Sequence, residues 1–217
     1  MLVFWKERLI LLAVPKTGTT ALEGALAPRA QFVLRDPPQI KHAPLYRARR
    51  FVVPLIEAAG GEGFETVAAV REPVDWLGSW WRYRQRDDLA GHPNSTRGVP
   101  FEEFVDQYAR GKPAPYASVG SQARFVGDGE GSIGVDHLFR YEAMESLKGF
   151  LEERLSLSID LPRSMSRQNI RWSFPTTSPP SCGASARPSS RSGRRRAPRP
   201  PPASCPARRR VRGPCRA

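Results

Sequence analysis

The chain has 217 residues, enough for one domain with a sizeable hydrophobic core, and a formal net charge of +13. That charge is uneven. Residues 173–217 contain 11 Arg, all three Cys and no acidic residue, so residues 1–172 carry 23 basic and 21 acidic residues, a net of +2. A near-neutral body without cysteine argues against a disulfide-stabilised secreted protein, and no segment approaches the roughly 18 apolar residues of a membrane span. We therefore expect a cytoplasmic protein without a transmembrane segment.

The first predicted unit is a buried strand at residues 8–14, a polar turn that begins at Pro15, and a helix at residues 19–27. The turn reads Pro-Lys-Thr-Gly-Thr-Thr. A turn between a strand and a helix directs unpaired N–H groups and a positive helix end at one point, which favours a phosphate ligand. It is not a Walker A loop, because Lys16 precedes Gly18 instead of following the last glycine. The alternative interpretation is an ordinary surface turn.

The rest of the body alternates strands with helices. Apolar periodicity and the positions of Pro and Gly predict further strands at residues 31–34, 64–70 and 133–139 and helices at residues 47–59, 73–86, 101–110 and 142–155. Pro54 conflicts with the helix at residues 47–59, which it would kink or shorten. Alternation of this kind predicts an α/β domain with a parallel sheet, helices on both faces and ligands at the carboxyl ends of the strands.

A second polar motif follows the strand at residues 64–70. Arg71 stands at the strand end, Pro73 opens the next helix, and Ser79 lies eight residues after the arginine. A guanidinium in this place suits bidentate contact with a phosphate, and the hydroxyl adds a donor. The alternative is that Arg71 pairs with Glu72 or Asp75, or only caps the helix. Because both polar motifs follow buried strands, we expect them to open into the same crevice.

The two motifs together resemble those of the sulfotransferases that use PAPS (3′-phosphoadenosine 5′-phosphosulfate). Pro15–Thr20 resembles the 5′-phosphosulfate loop of that family, and Arg-Glu-Pro-Val at residues 71–74, with Ser79, resembles its 3′-phosphate motif in the carbohydrate-type and bacterial branch. The resemblance extends over roughly residues 8–170. It implies a P-loop NTPase-like parallel sheet flanked by helices, and transfer of a sulfuryl group to a hydroxyl or amine of a carbohydrate or small molecule.

The resemblance also implies roles for matched residues. Lys16 would be catalytic and would stabilise the leaving phosphate; Arg71 and Ser79 would hold the 3′-phosphate; and the 5′-phosphate would be held by Thr17, Gly18, Thr19 and Thr20. Positive charge placed at a leaving group is usually the largest catalytic contribution. No metal is required by this chemistry, and the sequence has no cluster of ligands for one.

The general base is assigned from a shorter match. His42, in Lys-His-Ala-Pro at residues 41–44, resembles the stretch that carries the catalytic histidine in cytosolic sulfotransferases, although one residue is missing. The alternatives are that His42 is an ordinary loop residue and that Glu23 is the base. We interpret His92 and His137 as structural. The aromatic residues Trp80, Trp81 and Tyr83 are predicted to be packing residues rather than the lining of an acceptor pocket.

The sequence from residue 173 to residue 217 is rich in Arg, Pro, Ser and Ala. Its low apolar content predicts disorder, and its arginines would bind nucleic acid only non-specifically. Its composition is also typical of an out-of-frame reading of GC-rich DNA. Two other functions stay open at this point: a catalytically impaired remnant of the family with a polyanion-binding tail, and a P-loop small-molecule kinase.

Overall fold

The computed structural model describes residues 1–161, and their centre is a five-stranded sheet in the order β3-β1-β2-β4-β5. Three strands, β2, β4 and β5, run parallel to one another, as the alternating pattern predicts. The fold is therefore α/β with helices flanking a mixed sheet. The strands are β1 (Leu2–Phe4), β2 (Leu9–Leu11), β3 (Phe32–Val33), β4 (Glu65–Val70) and β5 (His137–Arg140).

The prediction of a wholly parallel sheet is wrong at one side. Strand β1 pairs antiparallel with both β2 and β3. Its pairing with β2 is a hairpin, because only residues 5–8 separate the two strands and a connection this short joins antiparallel neighbours alone. The strand predicted at residues 8–14 is accordingly shorter as a paired strand, and an unpredicted strand precedes it.

The helices largely follow the predicted ranges. The helix expected at residues 47–59 is three consecutive segments, with a π-helical turn at Ala48–Val52 in the middle. Pro54 lies in the last segment, directly after the π-helical turn, so the interruption expected at Pro54 coincides with a change of helix type. The α-helices are α1 (Thr19–Leu26), α2 (Pro38–Lys41), α3 (Leu45–Arg47), α4 (Val53–Ala58), α5 (Pro73–Tyr83), α6 (Phe101–Ala109), α7 (Gln122–Val126) and α8 (Met144–Leu155).

Alternate residues of the central strands enter two separate cores. Leu9 and Leu11 of β2 pack with α1 and α8, whereas Ile10 packs on the opposite side with α3, the π-helical turn, α4 and α7. This alternation is the period of two expected of a strand buried on both faces. We call the two sides the α1/α8 face and the α3/α4 face.

The predictions of disorder and of polyanion binding by residues 173–217, and the domain boundary after residue 172, lie outside the described residues. Within residues 1–161, no helix is both long enough and apolar enough to cross a membrane.

Candidate functional site

The loop of residues 15–20 leaves β2 and leads directly into α1. Lys16 has a φ of +67° and Gly18, which caps α1, has a φ of +74°. A positive φ is uncommon for a residue other than glycine, so Lys16 marks a tightly bent backbone. None of the backbone N–H groups of residues 16–20 donates to another described residue. The loop therefore presents free donors beside the positive end of a helix, as the sequence predicts.

Two hydrogen bonds hold this loop in place. The Thr17 side chain is fully buried, and its hydroxyl donates to the carbonyl of Val14 over 2.9 Å. The indole of Trp76 on α5 donates to the carbonyl of Pro15, also over 2.9 Å. The Thr17 hydroxyl is thus already engaged within the fold, and the group of Thr17 that remains for a ligand is its backbone N–H. Thr19 and Thr20 form the first turn of α1.

Arg71 connects the second motif to the loop. Its Nη1 donates to the carbonyl of Lys16 over 3.3 Å, and its Nε and Nη2 contact Oδ2 of Asp75 at 2.7 and 2.6 Å. The side chain of Gln122 clamps the backbone of Arg71 with two hydrogen bonds of 2.8 Å. The two motifs are therefore in contact with each other. The expected alternative pairing with Asp75 is also present, whereas the Glu72 carboxylate caps α5.

Positive charge accumulates around Lys16. Burial, followed by the positive charges of Arg86, Arg71 and Arg82, lowers the pKa of Lys16 to about 8. The Lys16 Nζ lies 3.7 Å from the centre of the Tyr83 ring, which partly offsets this repulsion by a cation–π contact. An additional anion at this point would relieve the repulsion among the four cations.

Two buried donors on α5 have no hydrogen-bond partner among the described residues: the Nη1 of Arg82 and the indole nitrogen of Trp80. A buried unsatisfied donor costs about 1–3 kcal/mol, so such groups mark a place where a ligand or water completes the structure. Ser79, the residue predicted for the 3′-phosphate, lies on the same helical face as Arg82, three residues away, and is half-buried.

Sequence reasoning missed Arg82 and Arg86, and it assigned Trp80 and Tyr83 to packing alone. Arg82 could have been found from the sequence, because it follows Ser79 at helical spacing and so lies on the same face of the helix. The sequence does not show that α5 approaches Lys16. Trp81 does have the packing role, since its indole donates to the carbonyl of Val99 over 2.9 Å.

His42 lies at the end of α2. Its Nδ1 is 2.7 Å from the carbonyl oxygen of Ala13, an acceptor, so Nδ1 carries the proton and Nε2 keeps its lone pair. Burial lowers the pKa of His42 below its ordinary 6.5, although the bond to Ala13 opposes this effect. His42 lines a cleft of about 290 Å³ together with Pro15, Trp76 and Gln122. A neutral, oriented imidazole suits a general base.

The other candidates for a base have local partners. Glu23 is buried in ion pairs with Arg35 and with Lys41, whose Nζ lies 2.8 Å from Oε2. Burial raises the pKa of Glu23, but the hydrogen bonds from Lys41 and Arg35 outweigh it, so the net shift is downward. His137 lies 3.2 Å from Glu65. His92 accepts a hydrogen bond from the backbone of the exposed loop that contains it.

Within residues 1–161, no group of three or more His, Cys, Asp or Glu side chains is placed to hold a metal ion. No family model, curated protein or solved structure matches the chain. The geometry of the site and the chemistry of its residues are therefore the basis for a function.

Proposed function

We propose that the chain is a PAPS-dependent sulfotransferase that acts on a hydroxyl or amine of a carbohydrate or small-molecule acceptor. The observation that carries the proposal is the contact between the Arg71 guanidinium and the carbonyl of Lys16, because it joins the two phosphate motifs at one edge of the sheet. A P-loop NTPase-like relationship of the fold belongs to the same proposal.

The residues present fit a ligand with two phosphate groups. Four cations, Lys16, Arg71, Arg82 and Arg86, surround this point. Asp75 contacts Arg71 and Arg82, and Asp88 contacts Arg86. The unpartnered Nη1 of Arg82 supplies a further donor for an anion. In the proposed arrangement Arg71 and Ser79 hold the 3′-phosphate, and the loop holds the 5′-phosphate through Lys16, Thr17, Gly18, Thr19 and Thr20.

The proposed transfer moves one group and one proton. The acceptor oxygen forms a bond to sulfur while the bond from sulfur to the 5′-phosphate oxygen breaks, which leaves adenosine 3′,5′-bisphosphate and a sulfate ester. His42 Nε2 takes the proton of the acceptor hydroxyl, a role for which its bond to Ala13 fixes the required tautomer. Lys16 stabilises the negative charge that develops on the leaving phosphate.

The first test is a thermal-unfolding titration with adenosine 3′,5′-bisphosphate. At one hundred times its dissociation constant, a ligand of the folded state adds about 2.7 kcal/mol of stability. We expect this stabilisation in the wild type, weakened in Lys16→Ala and in Ser79→Ala. Because Arg71 also supports the loop, Arg71→Lys is the better variant there: it keeps the charge and loses the paired donors.

Matched controls are Lys6→Ala and Arg29→Ala, which remove exposed cations that lie outside both motifs. Equal weakening in these variants would show that general positive charge binds the nucleotide. A folded wild type that does not respond would overturn the proposal and favour a remnant without a nucleotide site. Stabilisation by ATP with magnesium and not by the bisphosphate would favour a kinase.

A further inference from the structure

The α3/α4 face carries an apolar groove of about 690 Å³ whose rim is exposed. Ile40, Tyr46, Phe51 and Leu55 line it and are 43–61% exposed, and Phe32 of the edge strand borders it. Large apolar side chains clustered in this way mark a binding surface, whereas single exposed ones are ordinary. We call this feature the apolar groove.

The helix beneath the groove is apolar on two sides. Ala48 and Ile56 point into the core and are at most 1% exposed, whereas Phe51 and Leu55, four residues apart, form a second apolar stripe on the outside. A helix that only covers a core has a polar outer face. The outer stripe is therefore not explained by packing within residues 1–161.

The apolar groove adjoins the cleft that contains His42. Tyr46 lines both, and the neighbouring residues His42 and Ala43 line the cleft and the groove respectively. A molecule with its apolar part in the groove can thus extend past Tyr46 and place a polar end beside the imidazole. The volume and apolar lining are those of small-molecule sites.

Charge narrows the identity of the occupant. Arg47 and Arg50 line the groove, where their guanidinium groups lie 5.8 Å from the Tyr46 ring and 5.3 Å from the Phe51 ring, and no acidic residue lines it. Two copies of the chain joined groove to groove would bring these arginines together. Residues 173–217 contain 11 Arg and no acidic residue, so their positive charge would also be repelled by Arg47 and Arg50. An anion with an apolar chain fits both features.

We propose that the acceptor is an amphipathic hydroxyl compound whose alkyl chain lies in the apolar groove and whose anionic group pairs with Arg47 or Arg50. This inference rests on the proposed function. The acceptor hydroxyl then loses its proton to His42 as its oxygen bonds to sulfur, and the products are an alkyl sulfate ester and adenosine 3′,5′-bisphosphate.

Binding of a dansylated undecanoic acid, followed by fluorescence, tests the groove without requiring turnover. We expect Leu55→Glu and Phe51→Glu to weaken binding at least about tenfold, since each removes apolar contact and adds a charge of the same sign as the probe. Ile133→Glu is the matched control, because Ile133 is 63% exposed and does not line the groove. The methyl ester of the probe should bind more weakly, and Arg50→Gln should remove that difference or reduce it.

A series of alkanoates that compete with the probe gives a second readout, with affinity rising about fourfold for each methylene that enters the groove. No dependence on chain length, or equal binding by Leu55→Glu and wild type, would overturn the inference. So would a dimer in sedimentation that Leu55→Glu dissociates, since a second copy would then cover the groove. Titration with adenosine 3′,5′-bisphosphate on the same sample separates the two proposals: alkanoate binding without nucleotide binding refutes the sulfotransferase but leaves a lipid site, and the reverse refutes the acceptor class alone.

Discussion

The two faces of the sheet differ in how completely their apolar residues are covered. On the α1/α8 face Leu147, Leu151 and Leu155 are at most 2% exposed, and they pack directly against the strands. On the α3/α4 face the inner residues are equally buried, but Phe51 and Leu55 on the outer stripe are each 61% exposed. The apolar residues of the α1/α8 face are fully covered. The α3/α4 face has a second, outer set of apolar residues that no described residue covers.

Charge is distributed in the same uneven way. On the α1/α8 face Glu23 has two cationic partners and Arg154 contacts Glu65 over 2.6 Å. On the other face Arg47 and Arg50 lie over aromatic rings and form no ion pair with a described carboxylate. Paired charges and covered leucines stabilise a fold. Arginines without a carboxylate partner, beside exposed aromatic residues, are typical of a surface that binds a ligand. We infer that stability and acceptor binding are separated between the faces.

The largest effect should come from His42, on the cleft beside the α3/α4 face. We expect His42→Gln to lower kcat for sulfuryl transfer about 10²–10⁴-fold, because the base is removed while a donor for the Ala13 carbonyl is kept. His42 must be neutral to accept a proton and burial lowers its pKa, so the wild-type rate should fall only as the pH drops below 6.5. Kinetics against pH measure both, with His92→Gln as the control. A His42→Gln enzyme that keeps the acidic limb of the profile would refute the assignment.

The next prediction compares the loss of stability caused by a leucine substitution on each face. Leu151→Ala should lower the free energy of unfolding by about 2–5 kcal/mol, because it leaves a cavity in a fully covered core. Leu55→Ala on the exposed stripe should change it by less than about 0.5 kcal/mol, while weakening alkanoate binding. Urea denaturation of the two variants gives the numbers. Similar losses in both would mean that the stripe is covered in solution, and the comparison would fail.

The elements of the fold could be predicted where a strand is long or strongly apolar. Residues 8–14 and 64–70 are such runs, and the turn between the first run and α1 has the polar composition of an anion loop. Strand β1 was missed because three residues beside a charged hairpin carry too little periodicity. The error in the predicted strand directions follows from that one omission, because β1 is the strand that runs antiparallel to its neighbours.

The candidate site could be predicted only as two separate motifs. The contact between Arg71 and Lys16, which unites them, joins residues 55 positions apart. Two further features depend on the position of α5 relative to the loop: the cation–π contact of Lys16 with Tyr83, and the unpartnered Nη1 of Arg82. Local patterns do not encode such distances. For the same reason the sequence does not predict the apolar groove, since residues 47–59 are predicted only as one helix that Pro54 kinks or shortens.

A smaller effect is expected from the buried ion pairs of the α1/α8 face. Glu23→Gln should cost about 1–3 kcal/mol of stability at neutral pH, because Arg35 and Lys41 lose a charged partner. The folded-state pKa of Glu23 is lowered from 4.5, so its contribution is present above that pH and is lost as the pH falls through the folded value. Chemical denaturation at several pH values measures this. In Glu57→Gln, an exposed change on α4, we do not expect this loss; equal losses in the two variants would contradict the pairing.

The smallest effect concerns Lys16, which lies at the sheet edge between the faces. Its pKa of about 8 predicts that adenosine 3′,5′-bisphosphate binds more weakly as the pH rises above 8, because neutral Lys16 loses its attraction for phosphate. Arg86→Gln removes the largest like charge acting on Lys16, so this decline should begin at higher pH, by less than about one unit, or 1.4 kcal/mol. Calorimetric titrations from pH 6 to pH 10 measure the midpoint, with Arg110→Gln as the control. The midpoint is informative even if Arg86→Gln lowers affinity at every pH, since loss of a simple phosphate contact lowers the whole curve without displacing it. A curve lowered and not displaced would assign Arg86 to the ligand, and the lowered pKa of Lys16 to burial together with Arg71 and Arg82.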